Sequence, residues 1–538
     1  MKPAMAGFSL YDTTLRDGTQ GEGINFSALD KLRIAEKLDA FGMHYIEGGW
    51  PGSNPKDAAF FEEAKRLRLT RARLAAFGST RRANLAADKD PQVAGLLEAA
   101  TPVVTIFGKS WRLHVTEILG VEPAENRAMI ADTVRHLKSH GREVIYDAEH
   151  FFDGYKDDPD HALATLAAAR DGGADLLVLC DTNGGCLPDE VGTIFRAVAT
   201  HLPGVPLGIH THNDCGLGVA NALAAVRAGA VQAQGTINGY GERTGNCNLT
   251  TLVPCLQSKM GLELVSDLPA LTELSFFVDE LANCPHDPRA PFVGSTAFAH
   301  KGGVHVHAVQ KLARSYEHMD PADVGNRQHI LVSELSGQSN VLAKAQAFGL
   351  ALDKGSPEVL AVLAEIKRLE KDGYEFEAAE ASFELLVRRR LGLHQPLFTL
   401  QEYHCNYRRT GNRLYETCEA TVKLRVGEVN EYTVAEGDGP VNALDAAVRK
   451  ALRPFYPTID GIALQDYKVR IIDSHQATAA RTRVLIVSSD GHEAWSTVGV
   501  SGNIIEASWL ALIDGLEYRL APRNDLRARS QPSSVPGI

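Results

Sequence analysis

Eight short apolar segments, each followed by a helical pattern, recur between residue 8 and about residue 260. They read FSLYD, HYIEGG, RLAAFGS, VVTIFGKS, EVIYDAEH, DLLVLCDTNGG, PLGIHTHND and VQAQGTING. Strands that alternate with helices pair in parallel, and nearly continuous apolar runs are typical of strands buried on both faces. Eight such units in about 250 residues predict a (β/α)8 (TIM) barrel. A doubly wound open sheet is the alternative, but it calls for a glycine fingerprint where the chain has YDTTLRDGTQ.

The length of the chain predicts domains beyond the barrel. The 538 residues exceed what one hydrophobic core usually holds, so we assign residues 1–270 to the α/β barrel and expect further domains after it. Residues 271–395 look mostly helical and are interpreted as a linker subdomain. Residues 396–522 repeat a pattern of strands and one helix after roughly 63 residues, which predicts an α+β domain of duplicated βββα units. The polar, Pro- and Ser-rich residues 523–538 predict a disordered tail.

Composition narrows the class of partner. A net charge of −12 and a pI near 5.9 argue against nucleic acid as the main partner. The chain has no apolar run of about 18 residues and no apolar core of a signal peptide, so we expect no membrane span. The eight cysteines lack zinc-ribbon spacing, and we expect reduced thiols in a cytoplasmic protein.

The first helix can be bounded from its own residues. Ser27 predicts the N-cap of ALDKLRIAEKLDAF, and Gly42 predicts its left-handed C-terminal stop. We expect one apolar face, made by Leu29, Leu32, Ile34, Ala35, Leu38 and Phe41.

Two histidines one residue apart close the seventh segment. Side chains two apart on a strand share a face, so His210 and His212 are expected in the barrel mouth, with Thr211 turned away. Two neutral imidazoles can hold one divalent ion, and a polar surface turn is the alternative.

The first strand ends in Arg16 and Asp17, beside the seventh and eighth strands if the barrel closes. Asp17 could then add a carboxylate oxygen, which suits Mg, Mn, Fe, Co or Zn; a surface ion pair is the alternative.

Three other strand ends carry polar side chains. In NGYGERTGN, Asn246 could reach the metal directly or through water, unless the segment is only a flexible loop. Glu149 closes the fifth strand and is a candidate general acid or base. Thr182 follows the sixth strand, where its hydroxyl could bind a substrate carboxylate; an ordinary turn is the alternative. Asp, Glu, Thr and a His pair at four strand ends predict an active site in the mouth.

Five segments also carry a family resemblance: LRDGTQ, HTHNDCGLGVANALAAVRAGA, NGYGERTGN, HKGGVHVHAV and VGNRQHILVSELSGQSN. Together they resemble the 2-isopropylmalate synthase and citramalate synthase family, metal-dependent barrel enzymes of the Claisen-condensing type. The resemblance covers nearly the whole chain. It implies condensation of acetyl-CoA with a 2-oxo acid, a divalent metal such as Mg, Mn or Zn, and a homodimer. It also implies a C-terminal regulatory domain that binds isoleucine or leucine.

The resemblance implies roles for the residues that match its motifs: Asp17, His210, His212 and Asn246 at the metal, Arg16, Glu149 and His305 in catalysis, and Arg16, Thr182 and Tyr316 at the substrate. His305 would act from the linker of a partner subunit, with His307 as the alternative. The residues of a regulatory site stay unknown.

The second segment bears on which 2-oxo acid is used. It continues as IEGGWPGSNPKDAAFF, which resembles one branch of citramalate synthases on a route to isoleucine. A bulky Trp50 would shrink the pocket to fit the methyl group of pyruvate, since an apolar pocket discriminates by about 1–3 kcal/mol per methylene. Pyruvate is therefore expected, with 2-oxoisovalerate as the alternative. A lyase running the reaction in reverse and an amino-acid sensor with an inactive barrel are the competing hypotheses.

Overall fold

The computed structural model describes residues 7–53, 55–300, 303–330, 342, 345–346, 353, 355–376, 379–409, 416–472 and 480–521. The chain divides into two compact units. One is Met1–Phe298 with Met319–Gln328, and the other is Ala299–His318 with His329–Ile538. The expected disordered tail lies outside the described residues, as does the second part of VGNRQHILVSELSGQSN.

The first unit is a closed barrel of eight parallel strands, as the alternating pattern predicts. The strands follow one another in chain order, and the first closes against the eighth through the pairs Ser9↔Gln232 and Asp12↔Gly235. The (β/α)8 prediction is confirmed, and the open-sheet alternative is excluded. The strands are β1 Ser9–Asp12, β2 Tyr45–Gly49, β3 Arg73–Ser79, β4 Val103–Lys109, β5 Glu143–Glu149, β6 Leu176–Asp181, β7 Leu207–Thr211 and β8 Gln232–Gly235.

Helices follow the strands of this unit, and their apolar faces share one hydrophobic core with the barrel. Several begin with proline, whose missing N–H has no partner to lose at the first position of a helix. The helices are α1 Ala28–Phe41, α2 Pro55–Ala64, α3 Pro91–Glu98, α4 Pro123–Ser139, α5 Phe151–Asp157, α6 Pro159–Gly172, α7 Pro188–His201, α8 Gly218–Arg227, α9 Leu249–Pro254 and α10 Leu271–Leu281.

Helix α1 confirms its predicted ends but corrects its predicted face. The Ser27 hydroxyl accepts a hydrogen bond from the backbone N–H of Asp30, and Gly42 ends the helix with a φ of 110°. The prediction is wrong for Leu29, which is 65% exposed, whereas Lys31 is buried at 1% exposure. Residues two apart on a helix point about 200° away from each other, so an inward Lys31 turns Leu29 outward.

In its described residues, the second unit contains a short parallel sheet, three helices and two repeated modules. The sheet pairs β9 Ala299–His300 with β10 His329–Ile330, and the helices are α11 Gly303–Lys311, α12 Pro357–Lys371 and α13 Glu380–Arg390. The first module contains β11 Thr399–Arg409, β12 Glu416–Val426, β13 Val429–Gly437 and α14 Pro440–Leu452. The second contains β14 Ala463–Ile471, β15 Thr482–Ser489, β16 Ala494–Ser501 and α15 Ile504–Leu520.

Each module is a three-stranded antiparallel sheet followed by a helix, so the predicted duplication is confirmed. The register of β11 and of β14 is interrupted near the start of each strand, at Leu400/Glu402 and at Leu464/Asp466. Buried side chains from both modules form one hydrophobic cluster. All eight cysteines are free thiols. Among the helices that the structure describes, none combines the length and the apolar composition needed to cross a bilayer.

Candidate active site

Three side chains meet at the carboxyl ends of β1 and β7. The Nε2 atom of His210 lies 3.2 Å from Nε2 of His212 and 3.3 Å from Oδ2 of Asp17. The distance from His212 Nε2 to the same carboxylate oxygen is 4.0 Å, and all three residues are buried. Two imidazoles and one carboxylate that converge on one point form a donor set suited to a divalent cation.

Asn246 lies directly beside this ligand group. Its Nδ2 atom is 2.7 Å from Asp17 Oδ2 and 3.3 Å from His210 Nε2. Its Oδ1 atom is buried and has no hydrogen-bond partner within the described part of the chain. The two ends of an amide are interchangeable in shape, so a flip would turn Oδ1 toward the three donors. A buried acceptor without a partner beside three ligand atoms fits a site built for a cation.

Gln234 holds the second ring nitrogen of His210. The Nδ1 atom of His210 is 2.9 Å from Oε1 of Gln234, and Nε2 of Gln234 donates to Asp147 at 3.1 Å. An amide oxygen only accepts, so Nδ1 carries the proton and Nε2 offers its lone pair to the ligand group. Sequence reasoning missed Gln234 and Asp147, although polar residues inside two apolar strands were the available signal.

Burial and neighbouring charges set the protonation of these groups. Burial lowers the pKa of His210, but the hydrogen bond and the charge of Asp17 outweigh burial and raise it. Burial, with the nearby His210, lowers the pKa of His212 to about 4. Burial raises the pKa of Asp17, yet Arg16 and His210 outweigh it and hold that pKa well below its usual range. Asp17 is therefore ionised and His212 is neutral near pH 7, as metal ligands must be.

Arg16 is fixed between carboxylates and an aromatic ring. Its Nε donates to Glu47 Oε1 at 2.5 Å, and its Nη1 lies 3.2 Å from Asp17 Oδ1. The guanidinium carbon lies 3.7 Å from the centre of the Phe77 ring. Glu47 is fully buried and accepts two further hydrogen bonds from hydroxyl groups. The cation therefore has one orientation in the mouth, and Glu47 is a third residue that sequence reasoning missed.

The last residue of β5, Glu149, and the first residue after β6, Thr182, lie at the same mouth. Lys109 Nζ lies 2.5 Å from Glu149 Oε2, a partner that sequence reasoning missed. The next residue, His150, has a φ of 54°, a left-handed conformation that is uncommon for residues other than glycine. Its backbone N–H donates to Thr182 Oγ1 at 2.8 Å. The hydroxyl proton of Thr182 is then available for a ligand in the mouth.

A cavity of about 190 Å³ opens at these groups. Arg16, Asp17, Glu149, Thr182 and the two histidines line its polar side. An aromatic wall made by Trp50, Phe77 and Phe107 lines the other. The ring of Trp50 packs edge-on against Phe77 and Phe107, with centres 5.9 and 5.6 Å apart. The cavity is therefore small, polar on one side and apolar on the other.

His305 and Tyr316 belong to the second unit. His305 lies on α11, and its ring stacks on that of Tyr316 with centres 4.3 Å apart. Both side chains are exposed, as is that of His307. Their roles at the substrate stay predictions.

Three families match successive stretches of the chain. The HMGL-like family matches residues 7–278. The homocitrate synthase post-HMGL domain-like family matches residues 292–373, and the LeuA allosteric (dimerisation) domain matches residues 377–520. The matches fall on the barrel, on the segment after it and on the duplicated modules.

Curated relatives align with nearly the whole chain. The (R)-citramalate synthase of Aquifex aeolicus is 54% identical over 513 residues, covering 95% of this chain and 97% of the relative. The (R)-citramalate synthase of Geobacter sulfurreducens is 53% identical, covering 96% and 98%. The 2-isopropylmalate synthase of Methanocaldococcus jannaschii is 31% identical, covering 96% and 95%. The chain is thus much more similar to these two citramalate synthases than to that 2-isopropylmalate synthase.

Proposed function

The chain belongs to the (R)-citramalate synthase family within the HMGL-like group, and on that premise we propose that it condenses acetyl-CoA with pyruvate and water to (R)-citramalate and CoA. The observation that carries this proposal is the meeting of Asp17, His210 and His212 with Arg16 at one small cavity walled by Trp50. Such a site has a place for a cation, a fixed positive charge and an apolar wall.

The polar side of the cavity supplies the chemistry. A divalent cation held by Asp17, His210 and His212 would act as a Lewis acid toward the ketone of the 2-oxo acid. In our proposal Glu149 removes a methyl proton from acetyl-CoA, acting as a general base. Arg16, held by Glu47, stabilises the negative charge that develops on oxygen.

The bonds change in two stages. The enolate carbon of acetyl-CoA forms the new bond to the ketone carbon of pyruvate, and the ketone oxygen takes up a proton. Water then adds to the thioester and releases CoA and the second carboxylate. Thr182 donates a hydrogen bond to the carboxylate of pyruvate, while His305 and Tyr316 act as acid/base and substrate contacts, roles that rest on the resemblance.

The aromatic wall supports pyruvate as the 2-oxo acid. Trp50, Phe77 and Phe107 fill the apolar side of a cavity of about 190 Å³. Each further methylene in the substrate has to displace this packing, and an apolar pocket discriminates by about 10- to 200-fold per methylene. We therefore expect 2-oxobutyrate to react more slowly than pyruvate, and 2-oxoisovalerate more slowly still.

Release of free CoA by the purified protein tests the proposal. Acetyl-CoA is offered with pyruvate, 2-oxobutyrate, 2-oxoisovalerate or 2-oxoglutarate, each with EDTA or with added Mg²⁺ or Mn²⁺. Pyruvate-dependent release that EDTA abolishes is the expected result. Release only with 2-oxoisovalerate would move the assignment to 2-isopropylmalate synthase. No release with any 2-oxo acid would overturn the proposal and favour the lyase or the sensor.

We infer that residues 396–522 join two chains and bind a regulatory amino acid, with isoleucine as the effector. The match to the LeuA allosteric (dimerisation) domain supports this inference. Allosteric coupling usually amounts to about 1–3 kcal/mol, so we expect inhibition of a few-fold or more. Light scattering tests the dimer, and titration of activity with isoleucine and leucine tests the effector. A monomer, or activity that neither amino acid changes, would contradict the inference.

A further inference from the structure

The end of β2 is irregular at the point where the chain turns toward the cavity. The register with β3 passes from Glu47↔Ala75 directly to Gly49↔Ala76, so Gly48 has no opposite residue on β3. Such β-bulges re-aim side chains and occur preferentially next to active sites. The residue that this bulge precedes is Trp50, part of the aromatic wall of the cavity.

Two buried side chains hold the bulge from outside the barrel. Lys31 Nζ, from α1, donates to the carbonyl oxygen of Gly48 at 3.1 Å and to Asp57 Oδ1 at 2.5 Å. Asp57 Oδ2, from α2, accepts the backbone N–H of Trp50 at 2.8 Å. The ammonium and the carboxylate therefore connect two helices to the backbone on both sides of the bulge.

The packing around the two glycines leaves little space for this backbone to shift. A Cβ atom at Gly48 would lie 2.3 Å from a ring carbon of Phe60. A Cβ atom at Gly49 would lie 2.5 Å from Cγ of Asp57, and the φ of Gly49 is +152°. The bulge thus lies in direct contact with the carboxylate that anchors it.

The indole of Trp50 supplies no polar anchor of its own in the part of the chain that the structure describes. Its Nε1 atom is buried and has no hydrogen-bond partner there. Its edge-on contacts with Phe77 and Phe107 are apolar and non-directional by comparison with a hydrogen bond. The position of the ring is therefore set largely by the backbone hydrogen bond to Asp57.

We propose that the Lys31–Asp57 ion pair determines the size of 2-oxo acid that the cavity accepts, by fixing the position of Trp50; the inference rests on the proposed function. Neither residue lines the cavity, so both are positioning residues that act through Trp50. A buried ion pair gains little net stability over an apolar pair of similar size. Its contribution here is the placement of a backbone segment.

The double variant Lys31→Met with Asp57→Leu tests this inference. It replaces both charges with apolar groups of similar size, so no isolated charge is buried. We expect the ratio of kcat/KM for 2-oxobutyrate to that for pyruvate to rise about 10-fold, the value of one methylene in an apolar pocket. An unchanged ratio in the folded variant would overturn the inference.

A cycle with Trp50 separates positioning from general loosening. Trp50→Ala is expected to relax the same ratio, and adding the double variant to Trp50→Ala should change the ratio no further. Independent, additive effects would contradict action through Trp50. If the double variant is insoluble, Lys31→Gln with Asp57→Asn replaces it, since this pair also buries no isolated charge. We expect a shift of about 3-fold there, and an unchanged ratio would also contradict the inference.

Asp39→Asn is the matched control. Asp39 lies on the same helix, is also buried, and accepts hydrogen bonds from the backbone of Thr70, Arg71 and Ala72 instead of from the bulge. We expect a lower melting temperature and an unchanged substrate ratio. A shift as large as that of the double variant would overturn the inference.

Wild-type kinetics distinguish this inference from the proposed function. A wild-type protein that releases no CoA with any 2-oxo acid contradicts both. A wild-type protein that prefers pyruvate, together with a double variant of the same preference, contradicts only the role of Lys31 and Asp57.

Discussion

At the scale of single residues, the amide of Gln234 orients the ligand His210 through its Nδ1 atom, on the side of the ring away from Asp17 and His212. It fixes the proton of His210 on Nδ1 and leaves Nε2 bare. Loss of such a partner usually weakens metal affinity about 10- to 100-fold. We expect Gln234→Leu to raise the Kd for Mn²⁺ by that factor, measured by electron paramagnetic resonance of the free ion. An unchanged Kd for Mn²⁺ in Gln234→Leu would count against this role.

Arg16 uses features of a guanidinium that an ammonium lacks. It donates through Nε to Glu47 while its plane covers the ring of Phe77. Lysine keeps the charge but has no planar fork, so the charge is no longer held in one place. We expect Arg16→Lys to lower kcat about 10²- to 10³-fold, with a melting temperature close to that of the wild type. A kcat that stays near the wild-type value would show that Arg16 does not stabilise the developing charge.

At the scale of helices and strands, the sequence predicts those features that depend only on residues close together along the chain. The start, the stop and most of the buried face of α1 follow from Ser27, Gly42 and an apolar spacing. The burial of Lys31 does not, because its partner Asp57 lies 26 positions away on another helix. The predicted burial of Leu29 is wrong for the same reason, because the buried side chain of Lys31 sets which face of the first helical turn points to the core.

The candidate site also has residues that the sequence predicts and residues that it does not. Closure of the barrel brings strand ends together, so polar residues such as Asp17, His210 and Thr182 could be predicted from topology. The residues that orient them lie inside strands and bond across the barrel; Gln234 and Asp147 are 87 positions apart. A single sequence can show that an apolar strand carries a polar residue, but it does not show which two such residues pair until the order of the strands is known.

The C-terminal part of α1 offers a prediction about acid stability. Burial raises the pKa of Asp39, but hydrogen bonds from Ala72, Thr70 and Arg71 outweigh burial and hold that pKa below its usual value. The stabilisation is therefore complete above the unfolded pKa of about 3.9 and is lost as the pH falls through the lower folded pKa. We expect Asp39→Asn to lower the free energy of unfolding by about 1.5–3 kcal/mol at pH 7.

Urea unfolding at a series of pH values measures this difference. The gap between the wild type and Asp39→Asn should be constant from neutral pH to about pH 5 and should shrink below about pH 4. A gap that does not change with pH would show that the charge of Asp39 is not what stabilises the loop before β3.

At the scale of the whole molecule, a cation that binds only the folded chain must stabilise it. A ligand present at about 100 times its Kd adds about 2.7 kcal/mol to the free energy of unfolding. We expect the melting temperature to fall after dialysis against EDTA and to recover with Mn²⁺ or Zn²⁺. Asp17→Asn removes one ligand carboxylate and should abolish the recovery. A melting temperature that EDTA leaves unchanged in the wild type would argue against a resident cation.

His305 could be supplied by the same chain or by a partner subunit, since the barrel residues lie in the first unit and His305 lies in the second. If His305 acts in trans, a dimer of one Arg16→Ala chain and one His305→Ala chain contains one intact site. Random exchange makes half of the dimers mixed, so an equal mixture of the two inactive variants should recover about a quarter of the wild-type activity. Each variant mixed with itself is the control. No site in the mixed dimer is complete if His305 acts within its own chain. Native mass spectrometry verifies that mixed dimers have formed. A mixture that contains them and stays inactive would assign His305 to the barrel of its own chain.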